Sequence, residues 1–313
     1  MKVHYGIDAI PSIKNPVVTS GTFDGVHIGH RTILTRLKEI ASTVVGETVV
    51  ITFWPHPRFV LSNYSEELKI LSTIDEKIQL LSEQQIDHLI IIPFTLEFSN
   101  LSSQEFIQSI LIDKINTHCL VIGYDHRFGK NREGSFEYLN EHQHELGFQV
   151  EEIPRKDIEH IGISSTKIRD YLLSGDVFQA STYLGQPYFL TGKVIIGQQN
   201  GRKIGFPTAN IEVSENYKLI PADGVYAVKV EVQNKTYYGM LNIGYRPTLD
   251  GAHKSIEVNI FNFNQDIYGV QISIHFLKLI REEVKFGSLA DLKAQLIKDK
   301  EETKAIIETY EKL

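Results

Sequence analysis

The chain is poor in sulfur and in tryptophan: one cysteine, two methionines and one tryptophan in 313 residues. Cys119 alone cannot close an intrachain disulfide or build a cysteine-rich zinc cluster, which fits a reducing compartment. The first residues, Met1-Lys2-Val3-His4-Tyr5-Gly6-Ile7-Asp8, lack the apolar core of a secretory signal, so the expected location is the cytoplasm. Long apolar runs are also missing. A stretch such as Leu89-Ile90-Ile91-Ile92-Pro93-Phe94 falls far short of the ~20 residues needed to span a bilayer, so no membrane partner is expected. Excess positive charge is absent too: 32 Lys and Arg against 39 Asp and Glu leave a net charge of −7. That balance excludes a general nucleic-acid binder, and any anionic ligand must be held by a local arrangement of groups. No GxxxxGK[ST] loop and no HExxH helix occurs, which removes P-loop and zincin chemistry.

What is present is an ordinary globular composition, 42% hydrophobic, 10% aromatic and 23% charged. The length exceeds the roughly 250–300 residues at which one core stops growing, so two domains are expected. In the first half, β-rich runs at 15–23, 47–53, 87–94, 117–123 and 148–153 alternate with amphipathic stretches at 28–44, 73–85, 102–116 and 134–146. That alternation predicts a parallel sheet with helices on both faces, a Rossmann-like α/β domain. Thr73 with Glu76 and Ser102 with Glu105 read as capping boxes, and Gly147 as a left-handed helix stop. Two short helices, 164–174 and 176–184, are expected to close this domain. After Gly185-Gln186-Pro187 the pattern changes to strands and turns at 188–196, 224–233, 236–243, 255–263 and 269–279. Consecutive strands without helices between them predict an antiparallel β-barrel. A C-terminal helix at 288–310 offers Leu289, Leu292, Leu296 and Ile297 as its docking face. The expected domains are 1–186 and 187–313.

Gly21-Thr22-Phe23-Asp24-Gly25-Val26-His27-Ile28-Gly29-His30 stands where the first strand runs into the first helix. Unpaired amides and the positive end of the helix make such a junction an anion seat. Gly21 and Gly25 let backbone approach a ligand. His27 and His30, three apart at a helix entry, project together and can donate to one phosphate. An isolated pair of this kind equally fits satisfied core or surface histidines, and the strand-loop-helix setting is what favours a phosphate. Three more segments end at the same side of the predicted sheet: Thr52-Phe53-Trp54-Pro55-His56-Pro57, Gly123-Tyr124-Asp125-His126-Arg127-Phe128-Gly129, and Ile163-Ser164-Ser165-Thr166-Lys167-Ile168-Arg169. The last opens a helix with hydroxyls, amides and two cations, a suitable seat for a triphosphate tail.

In the second half, Gly201-Arg202-Lys203-Ile204-Gly205-Phe206-Pro207-Thr208-Ala209-Asn210 forms a glycine-bearing loop. The Thr208 hydroxyl and Asn210 amide oxygen are hard donors suited to Mg2+ beside ATP phosphates, although Thr-x-Asn alone is also ordinary turn chemistry. Glu257 lies on the opposite strand face from Ile256, Val258 and Ile260. That position fits either a solvent-facing residue or a base beside a metal-bound phosphate.

GTFDGVHIGH, TFWPHP, GYDHRFG and ISSTKIR together resemble the adenylyltransferase module of bacterial bifunctional riboflavin kinase/FAD synthetases, within the HxGH nucleotidyltransferases. GRKIGFPTAN, PADGVYAV, LNIGYRPT, IEVNIFNF and IREEVKFGSLADLKAQLIKD resemble the riboflavin kinase module, in the family's order. The resemblance implies two ATP-dependent reactions, phosphorylation of riboflavin to FMN by the second domain and transfer of AMP to FMN by the first, giving FAD and pyrophosphate. It implies that His27 and His30 stabilise the α-phosphate and that Ser165, Thr166 and Arg169 hold the outer phosphates. Gly21, Phe23, Asp24, Gly25 and Asp125 would line the nucleotide crevice, with His56 and Arg127 towards the flavin. In the barrel, Gly201, Lys203, Gly205, Thr208 and Asn210 would bind Mg2+-ATP, Glu257 would be the base, and Arg281 would lie near the flavin. Riboflavin, FMN and ATP are the implied partners, and the oligomeric state is left open. His126, Asn259 and Asn262 stand where the family commonly has Phe, His and Asp.

Overall fold

A computed structural model describes residues 1–61, 68–124, 126–153, 162–197, 200–248 and 251–312. The chain packs as two compact units, Met1–Ser165 and Thr166–Leu313.

The first unit is built on a six-stranded sheet of β1 (Lys2–Tyr5), β2 (Val17–Ser20), β3 (Thr48–Trp54), β4 (His88–Pro93), β5 (Cys119–Gly123) and β6 (Gln149–Ile153). Its order is β1-β4-β3-β2-β5-β6, and every pair is parallel. Strands covered on both faces read as continuous apolar runs, and β2 to β5 do: Val17, Val18, Val49, Val50, Ile51, Leu89, Ile90 and Val121 are all fully buried. Helix α1 (Ile28–Thr43) buries Leu34, Leu37 and Ala41. Helix α2 (Ile74–Glu83) starts with the expected capping box, Glu76 N–H donating to Thr73 Oγ1 and Thr73 N–H to Glu76 Oε2. Helix α3 (Phe136–Leu146) ends at Gly147 with φ 72°, the expected left-handed stop.

From β2 the chain moves outward through β3 and β4, then returns to the other side of β2 as β5. Strand order therefore reverses between β2 and β5, and open α/β sheets bind ligands outside the carboxyl ends of strands at such a point. The segments that follow these two strands are Gly21–His27 and Tyr124–Gly129. Two local expectations need correction. The edge strand β1 was not anticipated, because four half-exposed residues carry too short a pattern. The stretch 102–116 is not one α-helix: Ser103–Phe106 is followed by a π-helical segment, Ile107–Ile112, although the Ser102/Glu105 capping box is present.

The second unit holds helices α4 (Ser165–Leu173, whose first residue belongs to the first unit) and α5 (Val177–Leu184), then a closed barrel. The barrel strands are β7 (Phe189–Ile195), β8 (Ala209–Glu212), β9 (Gly224–Val232), β10 (Lys235–Thr248), β11 (Gly251–Ile260) and β12 (Gln271–Arg281), in the order β10-β11-β8-β7-β12-β9. All its pairs are antiparallel. The pattern of the sequence changes near residue 186, yet by packing the two short helices go with the barrel: the Ala222 N–H donates to Leu172 O at 3.0 Å.

The C-terminal helix α6 (Leu289–Tyr310) docks by part of the expected face: Leu292 and Leu296 are half-buried, and Leu296 packs against the cluster of Phe206, Val225 and Met240. Leu289 and Ile297 are 67% and 50% exposed, whereas Asp299, Thr303 and Ile307 are buried. Apolar spacing found Leu292 and Leu296 but not the polar anchor of the same stripe: Asp299 binds Arg281 at the end of β12.

Candidate active sites

In the first unit the loop after β2 is shaped by backbone. Phe23 sits at φ 46° and Gly25 at φ 79°, which turns the chain sharply before His27 caps α1. His27 Nδ1 accepts from the His30 N–H at 3.3 Å, and the two imidazoles stack at 3.7 Å with an interplanar angle of 13°. Burial first, then the neighbouring His27 and Lys77, hold the His30 imidazole well below the usual histidine range. Its Nδ1 is buried without a hydrogen-bond partner among the described residues. A buried, unspent ring nitrogen at a helix entry is what an incoming phosphate oxygen would engage.

The same loop is fastened from beneath. The Asp24 carboxylate is buried and accepts the amides of Leu71 at 2.9 Å and Ser72 at 3.2 Å, while Ser72 Oγ accepts the Gly25 N–H at 3.1 Å. Asp24, expected along the nucleotide crevice, thus spends its side chain bracing the loop. Ser165, the last residue of the first unit, donates its Oγ hydrogen to Asp24 O at 3.2 Å. His126 Nε2 lies 3.1 Å from Ser20 Oγ and 3.0 Å from Ser20 O, so the residue that departs from the family pattern ties the ends of β2 and β5 together.

Other expected residues are engaged locally or lie on other elements. His56 is buried and its Nδ1 accepts the Arg58 N–H at 3.2 Å. Arg127 is paired with Glu137 at 3.7 Å and donates to His126 O at 3.2 Å. Thr166 and Arg169 lie on α4. Asp125 falls outside the described residues, as does the side chain of Lys203.

In the barrel, strand pairing assembles the second constellation. Glu257 on β11 stands directly opposite Asn210 on β8, and Thr208 Oγ1 donates to Glu257 Oε2 at 3.2 Å. Directly opposed residues share a face, so Asn210 and Glu257 project together. Asn242 on β10 opposes Glu257 from the other side, a neighbour visible only once the register is known. Asn259 lies two residues along from Glu257 on the same face and donates to Pro207 O at 2.6 Å. Gly201 lies against the loop, where a Cβ would fall 2.2 Å from Phe206 O, so a side chain at that position is excluded by backbone. Gly205 needs its φ of 89°. Arg281 is held by both Asp299 oxygens, at 3.0 and 2.9 Å, and faces the Phe286 ring at 5.6 Å. Among the described residues no three His, Cys, Asp or Glu side chains converge as a metal cage.

A family model for FAD synthetase matches residues 10–167, and one for riboflavin kinase matches residues 184–307. The bifunctional riboflavin kinase/FMN adenylyltransferase of Listeria monocytogenes is 39% identical over 95% of this chain and 94% of its own. That of Bacillus subtilis is 39% identical over 91% of this chain and 90% of its own. The crystal structure of a Streptococcus pneumoniae protein described as a macrolide-efflux protein has TM-score 0.86 at 33% identity, covering 96% of this chain and 98% of that one. Among the described residues of the present chain no helix is long and apolar enough to cross a membrane. With both halves matched in order and near-complete coverage by relatives, the chain belongs to the family of bifunctional riboflavin kinase/FMN adenylyltransferases.

Proposed function

We propose that the two constellations divide the family's two reactions between them, the barrel making FMN from riboflavin and the α/β unit making FAD from FMN. The observation that carries this reading is the pairing of Glu257 with Asn210 and Thr208, which puts a carboxylate beside two neutral oxygen donors. The relevant functional segments are 1–186 for adenylyl transfer and 187–313 for phosphorylation, and the cytoplasm is the proposed location.

In the barrel, Glu257 takes the proton of the riboflavin 5′-hydroxyl as its oxygen attacks the γ-phosphorus of ATP, and the bond to the ADP oxygen breaks. The donors present fit Mg2+: the Thr208 hydroxyl hydrogen points to Glu257, which leaves its oxygen lone pairs for a cation, and Asn210 adds an amide oxygen. Bound there with ATP, the cation would neutralise phosphate charge. Gly201, Lys203 and Gly205 let the loop approach the nucleotide, and Arg281, fixed by Asp299, borders the flavin. In the α/β unit, a phosphate oxygen of FMN attacks the α-phosphorus of ATP, the bond to the β-phosphate breaks, and pyrophosphate leaves. His27 and His30 donate to the α-phosphate oxygens, where charge builds. Gly21, Phe23 and Gly25 shape the loop, and Ser165, Thr166 and Arg169 receive the departing pyrophosphate. Asp125, His56 and Arg127 border the flavin and adenosine crevice. Both steps rest on positioning and charge neutralisation rather than covalent catalysis.

Incubating the purified protein with riboflavin and Mg2+-ATP, then separating the flavins by chromatography, tests the reading. FMN should appear first and FAD after it. FMN without FAD removes the adenylyltransferase assignment, and no FMN removes the kinase assignment.

A further inference from the structure

Lys77 is a buried cation in the first unit, 1% exposed, which neither the motifs nor the reaction scheme uses. Taking an ammonium out of water costs several kcal/mol unless the site compensates it. Here the compensation comes from the catalytic loop itself: Lys77 Nζ donates to Thr22 O at 2.7 Å, and the buried Asp24 carboxylate supports its charge. The placement is built by α2, whose capping box fixes the first turn and whose Lys77 N–H bonds Thr73 O at 2.9 Å. Immediately before that turn, Leu71 and Ser72 bind Asp24, and Ser72 receives Gly25. Residues 71–77 therefore hold Thr22, Asp24 and Gly25 from below, and Lys77 is the cation of that grip. Its charge also reaches His30, whose protonation it opposes.

We propose that Lys77 is a positioning residue for adenylyl transfer, holding the Thr22 carbonyl so that the Gly21–His27 turn keeps its shape and supplying a positive charge that acts on His30 of the His27/His30 pair. The titratable groups that interact with it are Asp24 and His30. Because this charge does not depend on histidine protonation, it favours the phosphates where the His30 imidazole is neutral. The inference rests on the assignment of FAD formation to the first unit.

Burial pushes the Lys77 ammonium down to about 8, so the wild-type rate of FMN-to-FAD conversion should fall as pH rises through that value. Loss of fold by this group has the opposite sign. A lysine whose folded pKa lies below its unfolded one releases its proton first in the folded state, so its contribution to stability rises with pH between about 8 and its ordinary 10.5.

The test measures both reactions in wild type, Lys77→Met and Lys77→Arg, with the folded fraction read from the fluorescence of Trp54. Lys77→Met should lower FAD formation about 10²-fold, in kcat rather than KM, and leave FMN formation from riboflavin unchanged. Lys77→Arg should recover part of the rate and move the alkaline limb upward. A Lys77→Met protein with wild-type kcat per folded molecule, or a wild-type profile that stays flat from neutral pH to well above 8 while the protein remains folded, overturns the proposal. Absence of FAD formation in the wild type would instead overturn the assignment on which it rests.

Discussion

The Thr208 hydroxyl donates a hydrogen bond to Glu257 across 3.2 Å, linking the loop that should hold ATP to the carboxylate that should take the substrate proton. Removing the hydroxyl while keeping the shape, as in Thr208→Val, deletes the proposed metal donor and its hydrogen bond to Glu257 together. FMN formation should fall about 10- to 100-fold, with Thr208→Ser close to wild type and FMN-to-FAD conversion unaffected in both. Steady-state kinetics of the two reactions, at saturating and limiting Mg2+, reads this directly.

Asn259 supports the same loop from the next position on its strand face. Its 2.6 Å bond to Pro207 O satisfies a carbonyl that Asn259→Leu would strand. The cost should be about 1–3 kcal/mol, with a higher KM for ATP in FMN formation. Urea unfolding followed by far-UV circular dichroism, alongside the kinase assay, gives both values. An Asn259→Leu protein unchanged in both would mean that the bond does not hold the loop.

In the first unit the corresponding brace is Asp24. Asp24→Ala strands the amides of Leu71 and Ser72 and leaves Lys77 without its supporting charge. A loss of about 3 kcal/mol or more is expected, since breaking a buried charge pair leaves the other charge uncompensated. Trp54 is the only tryptophan and lies on β3, so its fluorescence follows unfolding of this unit specifically. Asp24→Asn, which retains an acceptor, should lose less.

Acid should weaken the barrel through His275. Burial, with Lys229 adding to it and Glu231 opposing, pushes this imidazole down to about 4, and the ring stacks on Phe189 at 5.1 Å. The unfolded chain binds the proton near 6.5 and the folded chain only near 4. The stability this residue contributes is therefore full above about 6.5 and is lost as pH falls towards 4. Denaturant midpoints by circular dichroism at pH 7 and pH 4.5 should differ less in His275→Gln than in wild type.

Much of this was legible in the sequence for identifiable reasons. Apolar runs such as Val49-Val50-Ile51 and the Thr73/Glu76 box report local structure directly, and β2 with the Gly21–His27 loop followed from composition and spacing. The two-unit plan followed from the switch from alternating elements to consecutive strands. What escaped depended on tertiary pairing. The four residues of β1 have meaning only beside β4, and Asn242 joins Glu257 only through the β10–β11 register. The docking face of α6 was legible only in part: Leu292 and Leu296 are half-buried as expected, whereas Leu289 and Ile297 stay exposed and the buried Asp299, held by Arg281, carries no apolar signal. Nothing in the sequence singles out Lys77; its burial and its bond to Thr22 O do.

The central claim is that two chemistries occupy two separate constellations, and a crossed-variant assay tests it most directly. Riboflavin-to-FMN and FMN-to-FAD rates are measured separately for Glu257→Gln and His27→Ala, each verified as folded. Glu257→Gln should lose FMN formation and keep conversion of supplied FMN to FAD, and His27→Ala should show the reverse. If either folded variant lost both reactions, or neither, the division of labour between Glu257 and the His27/His30 pair would be contradicted.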